Sequence, residues 1–157
     1  MQTVTIESWI DAPIERCFDA ARDLDLHVTS MQHTNERAVA GKTTGLIELG
    51  EDVTWRGRHF GVTQHFTSRI TAFERPHHFR DEMQRGAFHS FVHDHYFVAE
   101  NGGTKMTDVL VFAAPLGVLG VFAEKLFLRR YLERLLTTRN EAIREALERG
   151  APASRAG

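Results

Sequence analysis

The sequence predicts an α+β fold in which a curved antiparallel sheet of six to seven strands wraps around one long C-terminal helix. Residues 36–114 hold several β-rich segments joined by short turns, with no helical pattern between them, which is typical of an antiparallel meander. Apolar residues then recur every three or four positions over residues 119–148, which predicts one long helix. Two short helices near the start cannot cover so wide a sheet, so the sheet must curve around the long helix to bury its inner face.

The N-terminal part of the chain is predicted to form one strand and two short helices. Residues 3–10 alternate polar and apolar side chains, which indicates a strand. Asp11 and Pro13 then favour a helix start, because an aspartate can cap the first backbone N–H groups and proline is tolerated in the first turn. This helix is expected to end near Arg22, and Asp23 is expected to cap a second helix over residues 24–31.

The middle of the chain is predicted to supply the remaining strands. Strands are expected over residues 52–58, 60–73, 79–84, 88–99 and 104–114. The Asn101-Gly-Gly103 sequence predicts a tight hairpin between the last two of these strands. Pro115 and Gly117 follow the last strand and are expected to end the sheet.

The long helix is predicted to lie across the concave face of the sheet. Its apolar stripe comprises Leu132, Leu135, Leu136, Arg139, Ile143 and Leu147. Gly117 and Gly120 are expected to make its first part thin, which would leave room at the mouth of an enclosed space. Residues 1–149 are therefore predicted to form one domain, and residues 150–157 a disordered tail that has no means of burying itself.

The composition of the 157-residue chain is typical of one soluble globular domain, with 42% hydrophobic and 25% charged residues. A net charge of −2 argues against nucleic acid as the main partner, because polyanion-binding domains are clearly basic.

The longest apolar stretch, residues 109–122, is broken by proline and glycine and falls short of the roughly 20 residues that a membrane-spanning helix needs. Cys17 is the only cysteine, which excludes an internal disulfide. No signal peptide is expected, so the predicted location is the cytoplasm.

Several motifs along the chain resemble those of a known superfamily. They are I-D-A-P-I-E-R-C-F at 10–18, G-E-D-V-T-W at 50–55, F-H-S-F-V-H-D-H-Y-F at 88–97, and T-K-M-T-D at 104–108. On these motifs, residues 2–148 resemble the START/Bet v 1-like (SRPBCC) helix-grip superfamily, in the bacterial branch described as polyketide cyclase/dehydrase and lipid transport. The resemblance implies a hydrophobic ligand cavity between sheet and helix. It does not decide the chemistry, since members range from carriers and sensors to cyclases and hydrolases.

Histidine is over-represented, with nine residues in the chain and seven of them between His59 and His95, so any chemistry is expected in that segment. Strand alternation indicates which side chains point toward the helix. Glu51 shares the predicted inner face with Trp55. The residues predicted to line a ligand cavity are Trp55, Gln64, Phe66, Asp81, Phe91, His93, His95, Asp108 and Phe112.

Three functions are compatible with this inner face. The leading hypothesis is a non-catalytic carrier or sensor of a small hydrophobic or amphipathic molecule, whose polar end would face the histidines. The second is a cyclase, hydrolase or dehydratase acting on a polyketide-like substrate, with His93 or His95 as general base and Asp108 orienting the imidazole. The third is a protein-interaction module, and a homodimer is left open. A further alternative is that these polar groups only hydrogen-bond to one another as a structural network. In that case they would take part in none of the three functions.

His93 and His95 also have the spacing of a pair of metal ligands. Alternate residues of a strand share one face, which brings the two imidazoles about 6–7 Å apart at the backbone. An acidic residue could complete a third ligand. Two ligands alone are a weak signal, so neither a metal nor any other cofactor is expected from the sequence.

Overall fold

A computed structural model of the protein describes the backbone of residues 1–114 and 121–156, and the side chains of residues 1–114 and 127–149. Seven antiparallel strands form one sheet in the order β1-β7-β6-β5-β4-β3-β2. The elements are β1 (Gln2–Ile10), α1 (Ile14–Ala21), α2 (Leu24–Ser30), a 3-10 turn (Gln32–Thr34), β2 (Arg37–Gly41), β3 (Asp52–His59), β4 (Val62–Glu74), β5 (His78–Arg85), β6 (Ser90–Glu100), β7 (Gly103–Ala113) and α3 (Val121–Ala156). The predicted helix-grip architecture is confirmed.

The first strand, β1, forms one edge of the sheet and pairs with the last strand, β7. β1 lies antiparallel to β7 along its whole length, from Gln2 opposite Phe112 to Ile10 opposite Thr104. α3 packs against β1, α1 and α2, so the N-terminal elements and the C-terminal helix hold one another in place. This arrangement leaves the inner face of the central strands facing α3.

The core has two parts on the inner face. Phe18 of α1 meets three other phenylalanines edge to face, at ring-centroid distances of 5.3 Å to Phe73, 5.4 Å to Phe79 and 5.3 Å to Phe97. Each fully buried phenylalanine contributes about 1.5–3 kcal/mol of transfer free energy. The second part joins β1 and β7 to α3 through Val4, Leu110, Phe112, Leu132 and Leu136.

The predicted helix cap is confirmed for α2 and wrong for α1. The Asp23 side chain accepts hydrogen bonds from the backbone N–H groups of Asp25 and Leu26, at 3.0 and 3.3 Å. The N-cap of α1 is Pro13, with no side-chain hydrogen bond. Asp11 does not cap α1, because it lies two residues before that position and the chain turns between the two.

Three other element limits differ from the prediction. The strand expected from residue 60 begins at Val62, because Phe60 and Gly61, with φ of +54° and +73°, form the turn after β3. β2 is an additional edge strand that the sequence pattern does not single out. α3 continues to Ala156, through the stretch predicted to be disordered, and the domain limits stay a prediction. Pro115, Gly117 and Gly120, on which the predicted end of the sheet and the thin helix depend, lie outside the described residues.

Among the residues that the structure describes, no helix is both long and apolar enough to cross a membrane.

Candidate functional site

A cavity of about 230 Å³ lies between the inner face of the sheet and α3. Trp55, Phe66 and Phe91 provide aromatic walls, and the rings of Phe66 and Phe91 meet edge to face at 5.0 Å. Further apolar side chains from α2, β4 and α3 complete the walls, among them Leu24, Met31, Ile70, Leu132 and Leu135. The cavity therefore suits the apolar part of a small molecule.

Most of the residues predicted to line a ligand cavity do line this one. They are Trp55, Gln64, Phe66, Asp81, Phe91, His93 and His95. The lining does not include Asp108 or Phe112, and both side chains are 0% exposed. Phe112 packs in the core with Leu132 and Leu136, because α3 covers this part of β7 directly. Phe112 therefore does not line this cavity, and Asp108 lies one layer behind the cavity wall.

Glu51 does not join the buried polar residues. It precedes β3, its side chain is 38% exposed, and it forms an ion pair with Lys42 at 3.3 Å. The alternation that placed it beside Trp55 does not apply, since strand geometry begins only at Asp52.

The register of three strands brings two histidines and two aspartates together on the inner face. Asp81 of β5 is directly opposite His93 of β6, and Asp108 of β7 is directly opposite His95. The side chains pair diagonally across this square. His93 Nε2 lies 2.8 Å from Asp108 Oδ1, and His95 Nε2 lies 2.7 Å from Asp81 Oδ2.

The rings of the two histidines also lie against each other, tilted by 30°. Their centroids are 3.8 Å apart, and Phe79 stacks on the far side of His95 at 4.1 Å with an interplanar angle of 13°. His95 Nδ1 lies 3.0 Å from Asp108 Oδ1 but outside hydrogen-bond geometry, and it has no other partner among the described residues. The His95 ring is therefore fixed by stacking and by charge more than by a full set of hydrogen bonds.

α3 adds two residues that the sequence analysis did not assign to the site. Asn140 donates a 2.7 Å hydrogen bond from Nδ2 to Asp108 Oδ2. Arg139 Nη1 lies 3.4 Å from Asp108 Oδ1 and 3.1 Å from Asn140 Oδ1, while its Nη2 donates to the Ala21 carbonyl at 2.9 Å. The signal was present, because an arginine in the apolar stripe of a core-facing helix requires a buried partner.

We call these six residues the inner cluster: Asp81, His93, His95, Asp108, Arg139 and Asn140. Burial acts to raise the pKa of Asp108, yet contacts with His93, His95 and Arg139 hold that pKa well below its ordinary range. The pKa of Asp81 is likewise lowered, because hydrogen bonding to His95 and the nearby positive charges outweigh burial. Both carboxylates are therefore ionised at neutral pH.

The pKa values of the two histidines shift in opposite directions. Burial is the main influence on the pKa of His93 and lowers it, and the charge of His95 lowers it further. Burial also acts to lower the pKa of His95, but its contacts with Asp108 and Asp81 prevail and raise that pKa. His95 therefore holds a proton more strongly than His93, and neighbouring groups whose pKa values are separated can divide acid and base roles between them.

A second polar group, which the sequence analysis also missed, lines the cavity on the β2–β3 side. Glu36 Oε1 lies 3.2 Å from His27 Nε2, and Glu36 Oε2 lies 3.9 Å from His59 Nε2. Tyr131 of α3 hydrogen-bonds to His59 through its hydroxyl. Burial acts to raise the pKa of Glu36, but the hydrogen bond with His27 and the histidine charges lower it. Because Glu36 precedes β2, strand alternation gave no signal for it.

The outer face of the same strands carries a third group, the outer cluster of His78, Arg80 and Asp94. His78 Nε2 lies 2.6 Å from Asp94 Oδ1, and Arg80 donates to both oxygens of Asp94 at 2.8 and 2.9 Å. Asp94 separates His93 from His95 in the sequence, so the pleat of β6 places it on the opposite face. The outer cluster has no access to the cavity, since none of its residues lines it.

Solved structures with the same fold come from bacteria and plants. The TTHA0849 protein of Thermus thermophilus is 21% identical and superposes with a TM-score of 0.71 over 92% of this chain and 99% of that chain. A START superfamily protein of Mycobacterium smegmatis is 13% identical, with a TM-score of 0.72 over 94% of this chain and 97% of that one. The di-domain ARO/CYC protein StfQ of the steffimycin biosynthetic pathway is 9% identical, with a TM-score of 0.78 over 96% of this chain and 52% of StfQ.

At these identities the structural similarities establish the fold alone. A comparison with curated proteins finds no match. The sequence itself matches the family described as polyketide cyclase/dehydrase and lipid transport over residues 1–148. The chain therefore belongs to the polyketide cyclase/dehydrase and lipid transport family.

Proposed function

We propose that the protein binds a small amphipathic molecule in the cavity, with the polar group of the ligand against the inner cluster. One observation carries this proposal. Asp81, His93, His95 and Arg139 all line a cavity whose other walls are mainly apolar and aromatic. Ligand sites combine an apolar lining with a few polar groups that fix orientation, and this cavity has that composition.

The size of the cavity limits the ligand. Its volume of about 230 Å³ exceeds the about 150 Å³ of an engineered cavity that holds benzene. It is just below the about 300–1,000 Å³ of sites for drug-sized ligands. A molecule of two fused rings is therefore a better match than a long acyl chain.

The charges of the inner cluster indicate the kind of polar group. Asp81 and Asp108 are negative and Arg139 is positive, and a proton on His95, whose pKa is raised, brings the formal charge of the cluster to zero. A cluster without net charge gives no general preference for an ionic head group. It can donate to and accept from a hydroxyl or carbonyl group, which we expect the ligand to carry.

A matched pair of probes tests the proposal. 2-Naphthol and naphthalene have the same ring system and differ in one hydroxyl group. We expect 2-naphthol to bind about 10- to 100-fold more tightly, because a hydrogen bond to a charged group contributes about 1.5–3 kcal/mol. Isothermal titration calorimetry measures both affinities.

The control variants locate the binding preference. His93→Gln should reduce the preference for 2-naphthol, whereas His78→Gln in the outer cluster should preserve it. Equal affinity for the two probes in the wild-type protein would contradict a polar end at the inner cluster. Absence of binding by either probe would contradict the cavity proposal as a whole.

A second candidate function is acid–base catalysis, and the opposite pKa shifts of His93 and His95 favour it. Because His93 Nε2 faces Asp108, its Nδ1 is the atom available to accept a proton. Cyclisation and dehydration of polyketide-like substrates require proton removal beside a carbonyl group, which a neutral imidazole can perform.

Hydrogen exchange of 2-tetralone in D₂O tests this candidate, since the probe is bicyclic and has acidic protons beside its carbonyl group. The wild-type protein should accelerate exchange of these protons, as followed by proton NMR. The double variant His93→Ala/His95→Ala should abolish the acceleration and only weaken binding, while His78→Ala should leave the rate unchanged. Full acceleration by the double variant would refute catalysis by these histidines.

The protein-interaction alternative, the homodimer and the cytoplasmic location stay predictions.

A further inference from the structure

Three residues of the inner cluster form a donor set for a metal ion. Asp81, His93 and His95 each offer one donor atom, and these atoms lie within 4.8 Å of one another. All three side chains line the cavity. Asp81 supplies the third ligand that the histidine spacing alone did not provide.

The supporting hydrogen bond of His93 matches that of a metal ligand, and the same carboxylate lies close to the second nitrogen of His95 but outside hydrogen-bond geometry. A metal-binding histidine usually turns its second ring nitrogen toward a carboxylate, which fixes the ring orientation. Asp108 Oδ1 lies 2.8 Å from His93 Nε2 and 3.0 Å from His95 Nδ1. One fully buried carboxylate therefore stands behind both imidazoles, and their other nitrogens, His93 Nδ1 and His95 Nε2, are directed toward Asp81.

The remaining contacts hold this carboxylate in place. Asn140 and Arg139 of α3 bind Asp108 at 2.7 and 3.4 Å. Two strands thus supply the donor atoms, while a third strand and α3 supply the support. These contacts hold the two imidazole rings in place before any metal ion binds.

The donor distances are close to those of a bound ion. Metal–nitrogen and metal–oxygen bonds of about 2.0–2.2 Å place tetrahedral donors about 3.3–3.5 Å apart. Asp81 Oδ2 lies 2.7 Å from His95 Nε2 and 3.9 Å from His93 Nδ1, values on either side of that separation. Small side-chain movements would therefore bring all three donors to bonding distance.

We propose that Asp81, His93 and His95 bind one divalent transition-metal ion of the zinc type, with an open coordination position toward the cavity. Two imidazoles and one carboxylate suit this class of ion, whereas magnesium and calcium prefer oxygen ligands alone. With both histidines neutral, Asp81 and Asp108 offset the two charges of the ion, and the Arg139 guanidinium beside Asp108 leaves the cluster with one net positive charge. A hydroxyl or carbonyl oxygen of the organic ligand would take the open position, and only this last step rests on the proposed function.

A titration with Co²⁺ alone tests the site. The full chain is first dialysed against a chelator, and Co²⁺ is then added while its visible absorption is recorded. We expect an intense band typical of four-coordinate Co²⁺ that saturates at one equivalent, and Zn²⁺ should displace the Co²⁺ and abolish the band. A metal content of one Zn²⁺ per chain after gel filtration provides a second measurement.

Variants identify the ligands among the nine histidines of the chain. Asp81→Asn and His93→Gln should each weaken Co²⁺ binding by at least the roughly 10- to 100-fold that loss of a supporting residue costs. His78→Gln removes a histidine that also pairs with an aspartate and should change nothing. Circular dichroism reports whether each variant folds. If His93→Gln does not fold, Asp81→Asn at a partly exposed position still tests whether Asp81 is a metal ligand.

Two results would overturn the metal site. One is a wild-type protein that gives no saturating Co²⁺ band. The other is equal Co²⁺ affinity in Asp81→Asn, His93→Gln and His78→Gln, which would place the ion elsewhere. Because the titration contains no organic molecule, either result leaves the proposed ligand binding untouched, and failure of 2-naphthol to bind leaves the metal site untouched.

Discussion

Strands β5 and β6 carry histidine and aspartate side chains on both faces of the sheet, each group with an arginine partner, and the two groups differ in their surroundings. In the outer cluster, Asp94 is only 6% exposed, but its partner Arg80 is 39% exposed, so water can replace contacts of the arginine. In the inner cluster, Asp108 is 0% exposed and His95 is 2% exposed. The same residue types thus form a partly hydrated ion-pair group on one face and a closed charge network on the other.

The contribution of such a group to the free energy of unfolding therefore depends on its burial and not on its pairing. Exposed ion pairs contribute about 0–1 kcal/mol. Removing one partner of a buried pair costs about 3–5 kcal/mol, because the other charge stays without compensation. On the inner face, burial lowers the pKa of His93, whereas contacts with Asp108 and Asp81 outweigh burial and raise the pKa of His95.

The largest contrast is expected between Asp108→Ala and Asp94→Ala. Loss of Asp108 leaves the Arg139 guanidinium and the His95 imidazole without their shared carboxylate, so the free energy of unfolding should fall by about 3–5 kcal/mol. Loss of Asp94 should cost about 1 kcal/mol, because Arg80 and His78 can be hydrated. Urea unfolding followed by circular dichroism measures both, and equal losses would remove the distinction between the faces.

A smaller effect is expected for Arg139→Met, which keeps most of the side-chain volume. Asp108 then loses one cationic partner but retains its hydrogen bonds from Asn140 and His93. The free energy of unfolding should fall by about 1.5–3 kcal/mol, the range for hydrogen bonds to charged groups. A loss below that of Asp94→Ala in the same urea assay would show that Arg139 is solvated rather than buried in the network.

The pH dependence of stability should reflect the two histidines of the inner cluster in opposite ways. Because the pKa of His93 is lowered on folding, its contribution is present above the unfolded pKa of about 6.5 and is lost as pH falls. Because the pKa of His95 is raised, its contribution is present below about pH 6.5 and is lost as pH rises through the folded pKa. The wild-type protein should therefore lose stability on both sides of about pH 6.5, through His93 as pH falls and through His95 as pH rises.

His93→Gln should expose the contribution of His95 alone. The free energy of unfolding of this variant should no longer decline as pH drops below about 6.5, but it should still fall as pH rises above that value, by about 1.4 kcal/mol for each unit by which the pKa of His95 is raised. Urea unfolding between about pH 5.5 and 8.5 provides the test, and a His93→Gln profile that rises with pH would reverse the assigned charge of His95.

The smallest effect is expected for Arg80→Met in the outer cluster. Its free energy of unfolding should stay within about 0.5 kcal/mol of the wild-type value, because the lost ion pair is partly exposed. Its affinity for 2-naphthol should not change. A loss of affinity in this variant would connect the outer face to the cavity and contradict the separation of the two clusters.

Strand alternation was sufficient to predict the inner face of β6. Phe91, His93, His95 and Phe97 share that face, as the period of two requires, and all four side chains are turned inward. The architecture was equally predictable, because the order of elements allowed one way to cover the sheet. The diagonal pairing of His93 with Asp108 depends on strand register, which alternation does not give.

The contacts that α3 makes with the inner cluster could not be predicted from the sequence, for a related reason. Arg139 was placed correctly in the inward stripe, but its contact with Asp108 depends on the position of α3 across the sheet. Glu36 and Tyr131 meet His59 only because two distant segments converge at the β2–β3 wall. Asp108 was predicted inward and is inward, yet the two imidazoles cover it, so the sequence placed it one layer too close to the ligand.

A ligand site at the inner cluster is tested most directly by NMR of the histidine side-chain nitrogens during a titration with 2-naphthol. We expect the nitrogen resonances of His93 and His95 to shift and saturate with the probe, while those of His78 on the outer face stay unchanged. Saturable binding that leaves His93 and His95 unshifted, or that shifts His78 equally, would contradict a ligand site at the inner cluster.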